Sequence, residues 1–187
     1  MTSPVDRLAT ALPVTGRLVE AITPEQWELP TPCPEWTVRG VVNHLVFGHR
    51  RFATALTGGT APAAGEDVPG NDPGSAYWSS AEAMLTAFRV DGALDRPVTI
   101  PAGTLPGLVA CELRVVEALV HGWDLARATG LPLEFPTVLV EESIAFSRVQ
   151  LGRLPADRTP FGPSQPAPDD APLLDRLAAL LGRSIGS

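Results

Sequence analysis

Glu117 and His121 stand four residues apart in the stretch ELRVVEALVHGWDLARATG, residues 112–130. On a helix that spacing puts a carboxylate and an imidazole on one face. Around them are Val115, Val116, Ala118, Leu119, Val120, Trp123 and Leu125, so the helix is apolar over much of its circumference and belongs deep in a fold. A carboxylate there costs on the order of several kcal/mol unless it is paired or bound to a cation. The competing reading is an exposed Glu–His pair on one polar stripe, with Arg114 and Asp124 as neighbours. E-x-x-x-H alone does not choose between them.

His44, in VVNHLVFGHR at residues 41–50, changes the weighing. At about 100° per residue, Thr37, Gly40, Val41, Gly48, Arg51 and Ala55 share its helical face. Gly40 and Gly48 flank it at four residues on either side, and each costs roughly 1 kcal/mol against alanine. One use for them is to clear space above the imidazole for another helix or a bound molecule. His49 lies about 140° round from His44 and is expected at a solvated rim. A histidine from one helix and a Glu/His pair from another make a three-ligand nitrogen and oxygen set. Zinc, nickel and iron(II) all accept such a set, and three protein ligands leave the open position that catalytic sites require.

Other candidates are poorer. Cys33 and Cys111 have no CxxC partner and read as structural thiols. Trp27, Trp36, Trp78 and Trp123 read as packing residues. The sequence has no G-x-S-x-G, Walker or dinucleotide glycine motif.

The elements that must position these residues are helical. Periodicity predicts helices from about Val5 to Ile22, from an N-cap at Thr37 to about Leu56, about Ser75 to Val90, about Leu108 to Thr129, about Val138 to Leu151 and about Leu173 to Leu181. Pro13 falls inside the first and predicts a kink or a late start. Gly130 and Pro132 stop the fourth in the expected order. Val98 to Ile100 is one candidate strand. The segment LPADRTPFGPSQPAPDDAP, residues 154–172, is too rich in proline to be regular. The class is therefore all-α, a helical bundle over about residues 1–130 with a C-terminal extension, 131–187, in one domain.

Composition narrows the function. The chain has 187 residues, 44% of them hydrophobic, enough for a single core. A net charge of −7 argues against nucleic-acid and anionic-membrane surfaces, which need basic patches. No run approaches the roughly 18 apolar residues of a spanning helix. The N-terminus, MTSPVDRLATALPVTGRLVE, has charges and a proline where an exported protein has an apolar core. A reduced cytoplasmic protein is expected.

Three segments, TPCPEWTVRGVVNHLVFGHRRF, EALVHGWDLARATG and FGPSQPAPDDAPLLDRLAALLGR, together resemble the DinB-like family of actinobacterial proteins. That family is related to the metal-binding N-terminal domain of mycothiol-dependent maleylpyruvate isomerase. The resemblance implies a DinB-like four-helix bundle holding a divalent metal through His, Glu (or His) and His, positions that fall on His44, Glu117 and His121. It also implies mycothiol as thiol cosubstrate, in S-transfer or isomerisation of a small electrophilic molecule. The isomerase itself carries a further C-terminal domain; here residues 131–187 follow the bundle. On this reading a metal ion favours the thiolate, which attacks the electrophile. Gly48 would leave room for the ligand. Arg51 would meet an anionic group of thiol or substrate, or else is a surface arginine. Asp124, one turn beyond His121, would orient a metal ligand, or else lies at the surface. Two further readings remain: a non-catalytic metal-binding module for sensing, storage or partner binding, and a plain helical dimerisation protein. A homodimer is compatible with each.

Overall fold

The structure is a computed structural model in which residues 2–60, 63, 67, 69–100, 103–153 and 161–186 are described. Helix α1 spans Pro4–Ala21, α2 Val38–Thr57, α3 Pro73–Arg89 and α4 Gly107–Thr129. Helix α2 lies against α3 and α4, and α1 lies against the same two. The four helices therefore close a ring around one core, to which all contribute. Helices α5, Thr137–Leu151, and α6, Leu173–Leu180, pack on α4 and on each other. The fold is all-α, as the periodicity predicts.

Local chemistry explains the helix ends. Ser3 caps α1 in a capping box with Asp6, and Pro4 takes the first turn, where no N–H is missed. The late start that Pro13 suggested does not occur. Leu8, Ala11, Leu12, Thr15, Leu18 and Val19 are buried, and the Thr15 hydroxyl donates to the Ala118 carbonyl of α4 at 3.0 Å. Tertiary packing along that face and a strong cap carry the helix through its proline. Asp72 caps α3, its carboxylate accepting from the Ser75 N–H. Helix α4 ends at Gly130, whose φ of 72° is the left-handed conformation that favours glycine.

The single strand expected at 98–100 is half of an antiparallel pair, β1 Pro97–Ile100 with β2 Gly103–Pro106. Position 107 is closed to any side chain, because a Cβ there would fall 2.2 Å from the Ala93 carbonyl oxygen. That close approach seats the start of α4 on the turn after α3. Of the proline-rich segment, residues 161–172 form bends and turns without a helix, and 154–160 lie outside the described residues. No helix among the described residues is long and apolar enough to cross a membrane.

Candidate metal centre

The start of α2 is fixed before the helix begins. Thr37 accepts from the Gly40 N–H at 3.3 Å, the Val38 N–H donates to the Leu29 carbonyl and the Arg39 N–H to the Trp27 carbonyl. One turn further on, His44 points across to α4. One ligand atom from each of His44, Glu117 and His121 lies within 4.8 Å of the other two. Glu117 Oε2 is 2.8 Å from His44 Nε2 and 3.2 Å from His121 Nε2. Solvent reaches the cluster from the His44 and Glu117 side, whereas His121 is 3% exposed.

The exposed polar stripe is overturned. Arg114 is 4% exposed and Asp124 0%, because α4 is flanked by α1, α2, α5 and α6. Asp124 Oδ2 stands 3.0 Å from His121 Nδ1. It is held from behind by Arg183, which donates from Nε to Oδ1 at 3.2 Å and from Nη2 to Oδ2 at 2.8 Å. With the Nδ1 proton committed to a carboxylate, Nε2 is the nitrogen turned toward Glu117.

Charge is tightly coupled here. Burial alone would raise the Glu117 carboxyl, but hydrogen bonds from His121 and His44 outweigh it and hold the group well below its ordinary value. Burial would lower His121, but Asp124 and Glu117 raise it. His44 is lowered, burial exceeding the pull of Glu117. Two nitrogen lone pairs cannot both face one carboxylate oxygen at these distances without positive charge between them. A proton meets that need, and so would a cation.

Several residues sit differently from their sequence reading. Trp36 is more than packing: its ring stacks on His44 at 4.4 Å between centroids and tilts toward His121 at 5.6 Å. Gly40 admits it, since a Cβ there would come 3.1 Å from Trp36 Cβ. The space at Gly48 is taken by the Arg114 guanidinium, whose atoms would lie 2.8 to 3.0 Å from an added Cβ. Arg51 lies over the Phe47 ring, 4.3 Å from its centroid, and Arg114 is 3.8 Å from Glu117 Oε2.

His49 is not a rim residue. It is 1% exposed, because α3 covers that side of α2. Its Nδ1 lies 3.1 Å from Ser80 Oγ. Ser80 gives its own hydrogen to the Tyr77 carbonyl, so Nδ1 of His49 is the donor to Ser80. Cys111 is buried and Cys33 half-buried; burial raises both thiols, Cys111 to about 12.

Sequence reasoning missed Trp36 and Arg183 as neighbours of the cluster, and it set Arg114 beside the Glu–His pair only on an exposed stripe, whereas Arg114 is buried. Arg114 carried a signal, a charge three residues before Glu117 in an apolar helix. Arg183 lies 59 residues from Asp124, and no periodicity spans that gap.

Comparison with known proteins places the chain. A family model described as the mycothiol maleylpyruvate isomerase N-terminal domain matches residues 8–126. The uncharacterized protein Rv0738 of Mycobacterium tuberculosis (strain ATCC 25618 / H37Rv) is 31% identical over 171 residues, 90% of this chain and 91% of that protein. A mutant of mycothiol-dependent maleylpyruvate isomerase shares the fold with a TM-score of 0.57 at 15% identity, covering 75% of this chain and 70% of its own. Another crystal structure of that isomerase gives 0.54 at 18% identity, with the same coverage.

Proposed function

Because the chain belongs to the mycothiol maleylpyruvate isomerase N-terminal domain family, we propose that it is a divalent-metal-dependent enzyme using a mycothiol-type thiol. It acts as an S-transferase or isomerase on a small electrophilic molecule. The observation that carries this reading is the convergence of His44, Glu117 and His121 within 4.8 Å. Two imidazoles and one carboxylate suit zinc, and also nickel or iron(II), and leave a coordination position open. The hold of Asp124 on His121 Nδ1 is the outer support that histidine ligands commonly have. When bound, the ion supplies the positive charge that favours the ionised form of a thiol sulfur near neutral pH.

The chain's own side chains bind and orient. Glu117 contributes the single negative charge among the three donors, and Trp36 lays a flat wall against His44. An external thiol is favoured because both cysteines of the chain are pushed toward the neutral form by burial. The test is conjugation of mycothiol to a chromogenic haloarene by zinc-loaded protein, chelator-stripped protein and the Glu117→Gln variant. Turnover in the loaded wild type alone is the expected result. Equal rates in loaded and stripped protein would overturn the metal requirement. Zinc binding with no thiol consumption would favour the non-catalytic metal-binding module.

A further inference from the structure

Helix α5 is apolar on two sides. Leu139, Val140 and Ile144 face inward, together with Ser143 and Ser147, and are buried. Val138 and Val149 face outward and are 61% and 52% exposed. A helix that puts serines in and valines out is not patterned for cover by its own chain alone. Val138, Glu141, Ala145, Arg148 and Val149 recur at steps of three and four residues, so they share one face, and all five are exposed. Single exposed valines are ordinary. The charges set between these two make the face specific.

Glu141 and Arg148 are opposite in sign, and neither side chain has an ion-pair partner among the described residues. Seven residues apart on a helix, they are separated by about 10 Å and cannot pair with each other. The exposed run from Val138 to Gly152 is centred on Ala145. Two copies laid antiparallel across Ala145 bring Glu141 of each beside Arg148 of the other and enclose the valines. A parallel pair would set like charges together. We propose that this face of α5 seats a second copy of the chain, paired antiparallel about a two-fold axis at Ala145. Fifteen residues of helix fall short of the roughly 800 Å² per partner of a standard interface. The face continues onto α1 through a groove of about 150 Å³, lined among others by Thr2, Thr10, Pro136 and Val138. None of these residues belongs to the His44, Glu117 and His121 cluster, so the inference stands apart from the metal reading.

The test is sedimentation equilibrium of the full chain over a series of concentrations, with circular dichroism as the check on folding. Wild type should pass from monomer to dimer as concentration rises. Glu141→Arg and Arg148→Glu should each weaken the dimer about tenfold or more, because both cross-axis attractions become repulsions. Both positions are exposed, so the helical signal should stay at the wild-type level. Mixing the two variants should restore assembly, since each reversed charge then meets its opposite, and native mass spectrometry should find the mixed dimer. The double variant Glu141→Arg/Arg148→Glu should dimerise alone, as wild type does. A wild type that stays monomeric at every concentration would overturn the inference. So would a dimer indifferent to both single reversals, which would place the contact on another face. A dimer broken by the single reversals and not regained in the mixture or the double variant would overturn the antiparallel pairing.

Discussion

His44 and His49 sit five residues apart on one helix and do opposite things. His44 faces α4 and Glu117, while His49 faces α3 and is enclosed as a neutral donor to Ser80. His121→Ala should therefore lose most of the bound metal by metal analysis of purified protein, whereas His49→Ala should keep the stoichiometry and lose roughly 2 kcal/mol of stability in denaturant unfolding. His49 also sets a pH dependence. Burial, followed by the charges of Arg114 and His44, holds it well below its ordinary value of 6.5. The unfolded chain then takes up a proton there before the native one does. The stabilisation from neutral His49 is complete above about pH 6.5 and is lost as pH falls below it. His121, shifted upward, works in the opposite sense: its contribution is present below that pH and lost as pH rises. The contribution of His49 is isolated by comparing wild type with His49→Gln. Their difference in unfolding free energy should shrink on acidification from neutral pH, and a constant difference would count against the assignment.

The helices were legible because they carry their signals locally. Thr37 as N-cap, Gly130 as stop and the apolar faces of α1 and α4 are all visible within a few residues. His44, Glu117 and His121 could be named as a set from helical spacing and a nearly all-apolar α4. What spacing could not provide is which helix covers which face. His49 was misread because only the packing of α3 on α2 buries it, and Arg183 was invisible because it reaches Asp124 across 59 residues. That contact ties the segment after α6 to the back of His121. Arg183→Met should leave helical content by circular dichroism near wild type while weakening zinc about tenfold or more, because Asp124 would lose its matching charge. Unaltered zinc affinity would show that Asp124 holds His121 without help. In α1, Pro13 is the other local conflict. Pro13→Ala should raise the midpoint of thermal unfolding, since it restores a backbone donor within the helix. A lower midpoint would mean that the pyrrolidine ring packs better than alanine there.

The ring of α1, α3, α2 and α4 gives the molecule its one shared core, and the candidate centre lies where α2 and α4 meet within it. An ion that bridges His44 on α2 with Glu117 and His121 on α4 ties those two helices together, so binding and folding should be linked. Zinc at about a hundred times its dissociation constant should add roughly 2.7 kcal/mol to unfolding free energy, read as a rise in the unfolding midpoint that a chelator reverses. The most direct test is calorimetric titration of zinc into chelator-treated wild type and His121→Ala, side by side at neutral pH. One ion per chain in the wild type and loss of most of that affinity in His121→Ala is the expected result. No binding in the wild type, or equal binding in both proteins, would contradict a metal centre at His44, Glu117 and His121.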